Sequence, residues 1–116
     1  MGILQLIVAA AVILSGECGP IGGDCRLEVA RTMANRYVQD GAWPPVLDAY
    51  YGRGVPGEAD MAVATLLVTR PAVLADGRHV YAYSDADRWR MGWRRGDERV
   101  CEWDLCVHFT HDWPGG

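Results

Sequence analysis

The strongest constraint on folding lies in the first residues. Ile3 to Leu14 read ILQLIVAAAVIL, apolar except for Gln5. As a helix, such a run is apolar on every side, so other elements or lipid must enclose it. It is too short to cross a bilayer, which takes about 20 apolar residues. It also lacks the marks of a secretory signal: no basic residue precedes Arg26, and LSGEC departs from a lipobox because Glu17 stands before the cysteine. A targeting remnant is the alternative. The preferred reading is a buried first helix over 3–15 with no membrane span, enclosed by a single domain over residues 1–116.

The rest of the chain supplies helical walls. GECGPIGG is a loop, because proline and glycine interrupt a helix there twice. Asp24 is placed to cap a second helix, from about Cys25 to Asp40, with Leu27, Ala30, Met33, Ala34, Tyr37 and Val38 on its apolar stripe. Gly41 stops it. WPPVLDAYY suggests a short helix entered through Pro45. EADMAVATLLVT, from Glu58 to Thr69, forms a third helix that opens on acids and ends at Pro71. Asp76-Gly77 marks a turn, and HVYAY alternates as a strand. Ser84 or Asp85 caps one more helical turn, and alternation from Trp103 to Phe109 suggests a second strand. The class is mainly α (α+β) with a small late β-hairpin.

Four cysteines fall in two close pairs, Cys18 with Cys25 and Cys101 with Cys106, and four cysteines allow three connectivities. Local pairing would staple the loop after Glu17 and a C-terminal turn; the turn-rich surroundings favour disulfides. Four reduced thiols are the alternative. Cys101, Cys106, His108 and His111 are also zinc-ligand types, but their spacing fits no standard finger, so no metal and no cofactor are assigned. His79, His108 and His111 otherwise read as structural.

The net charge of −4 gives no general attraction for nucleic acid. All eleven basic residues are arginine. RWRMGWRR is basic but is offset by Asp85, Asp87, Asp97 and Glu98, which reads as a solvated face.

Glu17 is the foremost chemical candidate. A carboxyl at the C-terminal end of a buried helix lies beside outward-pointing carbonyls and low-dielectric packing, and both raise its pKa. A raised glutamic acid can protonate a leaving oxygen near neutral pH. The bland reading is a solvated loop residue. Asp24, Asp85 and Asp87 are fallback second carboxylates, each otherwise a cap or a surface charge. Tyr81, Tyr83 and Trp89 combine apolar faces with polar tips and suit the wall of a sugar-binding cleft. As strand neighbours Tyr81 and Tyr83 share one face, which packing against a core would also explain. Asn35 is placed to brace the Glu17 loop, or is a plain surface amide.

SGECGPIGGDCRLEVARTMANRY resembles the start of the catalytic domain in the spore cortex-lytic and cell wall hydrolase (SleB-like) family. The matching positions are Gly16 and Glu17, then Val29 and Ala30, then Asn35 and Arg36. WPPVLDAYYGRG, DMAVATLLV and GRHVYAY resemble later segments, and Trp89 or Trp93 a later tryptophan. The likeness runs over roughly residues 5 to 93. Cys18, Cys25 and Arg26 depart from the family pattern, and the tail from Arg94 has no counterpart. The resemblance implies a lysozyme-like fold that cleaves peptidoglycan glycan strands between N-acetylmuramic acid and N-acetylglucosamine, as a muramidase or a lytic transglycosylase. Glu17 would be the lone acid and base. It further implies an extracytoplasmic, monomeric protein of bacterial or phage origin. A non-catalytic wall-binding domain of the same fold, and a small disulfide- or zinc-stabilised interaction domain, are the competing readings.

Overall fold

The apolar first run is helix α1 (Ile3–Cys18), and the chain encloses its second half: Ala10, Ala11 and Leu14 are fully buried, whereas Ile3, Leu4 and Val8, expected to be enclosed with them, are exposed. A computed structural model describes residues 2–22, 24–43 and 55–115. The segment WPPVLDAYY, expected to hold a short helix, lies beyond Trp43 outside the described residues. Helix α2 (Cys25–Asp40), helix α3 (Glu58–Thr69) and the single turn α4 (Pro71–Leu74) follow. Then come strand β1 (Tyr81–Ser84), helix α5 (Asp85–Met91), and strands β2 (Glu98–Glu102) and β3 (Leu105–Thr110). Helix α1 packs mainly on α3, while α2 touches α1, α3 and α4. The fold is mainly α with a late antiparallel sheet.

Helix α1 runs three residues further than its sequence suggests, so Gly16 and Glu17 are helical rather than part of a loop. The stop falls at Gly19, whose φ of 52° and ψ of −124° suit only glycine. Pro20 beyond it disfavours helical backbone at the preceding residue. Cys18 is buried and bonded to the equally buried Cys25, with 5.9 Å between their Cα atoms, so α1 and α2 are stapled end to start. A loop of that length confers about 2–3 kcal/mol in the chain-entropy model. Arg26 holds the same loop from the other side. Its guanidinium donates to the carbonyls of Ile21 (3.1 Å) and Gly19 (3.2 Å) and pairs with buried Asp60 at the start of α3. Asp24 sits at the N-cap position of α2 but makes no side-chain cap. Its ψ of 0° departs from the extended backbone that aims a capping oxygen at the helix. Val38, expected on the buried stripe, is 59% exposed.

The sheet has three strands in the order β1-β3-β2, all antiparallel. Tyr81 pairs with Thr110 and Ser84 with Val107; on the other side Cys101 faces Cys106, and the two are disulfide-bonded. Their sulfurs are therefore not thiolates, which removes the zinc reading. Among the described residues no His, Cys, Asp or Glu group is arranged to hold a metal ion. Strand β2 was not legible in the sequence: ERVCE has no clean alternation and is largely exposed at the sheet edge. Trp103 lies in the β2–β3 turn with φ 58°, not in the strand, and is 83% exposed. The central strand β3 is buried on both faces from Val107 to Thr110, so His108 is as buried as Phe109.

His108 has the partners that the sequence does not reveal. Its Nδ1 accepts the Gly96 N–H at 3.0 Å, so the ring proton sits on Nε2, 2.6 Å from Asp85 Oδ1. Asp85 also accepts the Cys106 N–H at 2.9 Å. Burial alone would raise the Asp85 carboxyl, but these hydrogen bonds outweigh it and hold its pKa below the usual value. Ser84, not Asp85, caps α5: its hydroxyl accepts the Asp87 N–H at 3.2 Å.

Candidate functional site

One cleft of about 290 Å³ opens where α1 and α2 meet the sheet. The helices build its floor by simple periodicity. Ile13 and Glu17 are four residues apart on α1, and Val29, Thr32, Met33 and Arg36 keep the i, i+3, i+4, i+7 spacing on α2. Strand β1 gives one wall through Tyr81 and Tyr83, and Asp87 enters from α5. Trp93 and Trp113 extend that wall, packed against the two tyrosines. The Arg94 N–H, donating to the Pro114 carbonyl at 3.1 Å, ties these two segments together.

The aromatic wall is continuous. Tyr81 meets Trp113 edge-on at 5.4 Å, Trp113 meets Trp93 at 5.5 Å, and Trp93 meets Tyr83 at 5.2 Å. Tyr83 stacks on His108 at 5.4 Å, and its hydroxyl donates to the Arg94 carbonyl at 2.6 Å. The phenol is thereby committed to the protein, so Tyr83 can offer a ligand only its ring. The His108–Asp85 pair supports the cleft from behind this ring and is not part of its lining.

Glu17 is the chemical feature of the cleft. Its Oε2 is sealed from solvent and has no hydrogen-bond partner in the protein. Burial pushes its pKa up to about 7, and the negative charge of Asp87 adds to the shift; the Ser84 amide opposes it. A neutral carboxyl tolerates an unpartnered oxygen far better than a carboxylate does. The group therefore carries its proton over much of the range up to neutrality.

The other sequence candidates are divided. Tyr81 and Tyr83 line the cleft beside Glu17. Trp89 does not: it sits on the outer face of α5, 68% exposed, and Trp93 takes the place expected of it. Asn35 is buried, and its side-chain hydrogen bonds go to residues 76–79 rather than to the Glu17 loop. Its amide nitrogen donates to Asp76 Oδ1 (2.9 Å) and the His79 carbonyl (2.8 Å), and its oxygen accepts the Asp76 and Gly77 N–H groups, both at 2.8 Å. It thus fixes the turn that leads into β1. Asn35→Ala should strip these four bonds, lower stability by about 2–3 kcal/mol, and speed hydrogen exchange at Asp76 and Gly77 before the rest of the sheet. Unchanged protection at those two amides would contradict this role.

Of the fallback carboxylates, Asp87 shares the cleft; Asp85 is bound to His108, and Asp24 is remote from the cleft. The basic run RWRMGWRR is largely solvated, with Arg90 paired to Asp87 at 3.1 Å and Arg94 to Asp97 at 2.9 Å. Trp113 is the residue that sequence reasoning passed over, and Arg36 was noted only as a position of the motif, without a role in the cleft. The signal for Arg36 was present: it completes the Val29, Thr32, Met33 stripe at the next helical repeat. Trp113 had no local signal, because only the returning tail brings it to Trp93.

No protein family, no curated protein and no solved structure matches the chain, so its chemistry has to be argued from this cleft.

Proposed function

We propose that the protein is a peptidoglycan-cleaving glycosidase of lysozyme-like type, with Glu17 as its acid and base. One observation carries the reading: a glutamic acid held protonated to about pH 7 in a cleft walled by Tyr81, Trp93 and Trp113. Pyranose rings present apolar faces edged by hydroxyls, and aromatic walls suit them. The similarity of the Glu17, Asn35 and Arg36 motifs to the cell wall hydrolases supports the same substrate.

In this mechanism the Glu17 proton passes to the glycosidic oxygen as the C1–O bond breaks. The leaving sugar departs as an alcohol, and positive charge develops at C1 and the ring oxygen. Glu17, now a carboxylate, takes a proton from the attacking group. If that group is the muramic acid 6-hydroxyl, the product is anhydro; if it is water, the product is a reducing end. Ordinary glycosidases use two carboxyl groups. Asp87 is in the same cleft, and its negative charge serves both to keep Glu17 protonated and to stabilise the cationic sugar.

The two disulfides are compatible with an extracytoplasmic location, and among the described residues no helix is long and apolar enough to cross a membrane. A role in the cell envelope follows from the proposed substrate.

The test is mass spectrometry of soluble products from purified peptidoglycan. Wild type should release muropeptides, Glu17→Gln should slow release by about 10³-fold, and the end-group mass should identify the attacking group. Co-sedimentation with the wall but no release by wild type would replace the enzyme with a wall-binding domain.

A further inference from the structure

We infer that Arg36 reads a carboxylate on the glycan, so that the cleft selects acidic sugar polymers over neutral ones; this rests on the glycan-cleaving reading above. Arg36 lines the same cleft as Glu17 and is only partly exposed. Its guanidinium lies over the Tyr81 ring, 5.3 Å from the centroid. A cation–π contact engages the charge of the guanidinium and uses none of its N–H donors. Those donors form a fixed fork that can grip a carboxylate with two parallel hydrogen bonds.

The other arginines near carboxylates are already engaged. Arg26, Arg31, Arg78, Arg90 and Arg94 each pair with an aspartate or glutamate. Among the described residues none of the ion pairs includes Arg36. The remaining acids of the cleft do not substitute for a ligand: Glu17 keeps its proton up to about pH 7, and Asp87 is paired with Arg90. An arginine held over an aromatic ring in a cleft, partly shielded from water and with no carboxylate partner among the described residues, is a receptor for an anion from outside. On a peptidoglycan strand the matching group is a stem-peptide carboxylate, or the lactyl carboxylate of a muramic acid residue that carries no stem peptide. A chitin oligomer, built of N-acetylglucosamine alone, has none. The contact with Tyr81 places the anion beside that residue, in the cleft that also holds Glu17.

The experiment separates binding from chemistry. Glu17→Gln protein is titrated with a muramic-acid-containing tetrasaccharide and with chitotetraose, following the fluorescence of Trp93 and Trp113. The acidic sugar should bind about tenfold or more tightly than the neutral one. Adding Arg36→Gln should abolish that preference while leaving chitotetraose affinity within about twofold. In the Glu17-intact protein, Arg36→Gln should raise KM for peptidoglycan by a larger factor than it lowers kcat, and Arg36→Lys should restore only part of the loss, because a lysine cannot fork onto a carboxylate. Equal affinity for the two sugars in the Arg36-intact protein, or a preference that survives Arg36→Gln, would overturn the inference. Binding of the acidic sugar with no cleavage by wild type would instead refute the enzymatic reading and leave the carboxylate site standing.

Discussion

Glu17→Gln should make the protein more stable at pH 8 by about 2–3 kcal/mol and change it little at pH 4, while slowing the proposed glycan cleavage by about 10³-fold. The sign follows from the direction of the shift. The carboxyl has an ordinary pKa of 4.5 and is raised to about 7 in the fold. Below 4.5 both the folded and unfolded states carry the proton, and the group imposes no penalty. Between 4.5 and 7 the unfolded chain ionises and the folded one resists, so stability falls as pH rises; above 7 the full penalty remains. Gln is neutral at every pH and removes that slope. Thermal unfolding at pH 4, 6 and 8 measures the effect, and the gain at pH 8 should reach about 10 °C. Parallel pH curves for wild type and mutant would mean that Glu17 is ionised in the folded protein, and the proton donor would have to be sought elsewhere. The same titration predicts that wild-type activity falls above about pH 7, as the acid form is lost. A group that costs stability yet sits in a cleft is the usual signature of a functional residue.

Gly96→Ala should be among the most destabilising single substitutions in the chain, with a loss of about 3 kcal/mol or more. A Cβ at this position would lie 2.6 Å from His108 Cβ, 2.7 Å from Phe109 N and 2.9 Å from Glu98 O. Two of those three atoms are backbone of the central and edge strands, so no side-chain rotation relieves the overlap. The segment would have to move away from β3, and with it would go the Gly96 N–H bond to His108 and the setting of the His108–Asp85 pair behind Tyr83. Denaturant unfolding gives the magnitude. Gly22→Ala is the control: its added carbon would meet only Glu102 Oε2, at an ordinary 3.6 Å, and should be neutral or slightly stabilising. A Gly96→Ala protein within about 1 kcal/mol of wild type would mean that the two strands adjust more freely than their packing implies.

Helices α2 and α3 were legible almost to the residue, because each is a local affair of periodic apolar positions with a glycine, an acid-rich first turn or a proline at its ends. The first helix was legible from its apolar run, whose second half is enclosed, although Ile3, Leu4 and Val8 at its start are exposed. Its end was misplaced because Pro20 acts on the residue before it, so the helix persists through Glu17 and stops only at Gly19. That shift turns Glu17 from a loop residue into one fixed on a rigid helix, four residues after Ile13. The exposed edge strand β2 carried no pattern, since a strand that buries little of either face has no need to alternate.

Sequence by itself determined the helical framework, the close spacing that lets each cysteine pair with its neighbour, and the singular position of Glu17 after an apolar helix. Those depend on contacts within a turn or two of chain. The tertiary structure alone decided what surrounds that acid. Asp87 arrives from α5, Tyr81 and Tyr83 from β1, Trp93 and Trp113 from two ends of the C-terminal segment, while Asn35 holds residues 76–79. A raised pKa comes from removing water and placing a second carboxylate nearby, and both are properties of residues distant in sequence that folding brings to one place.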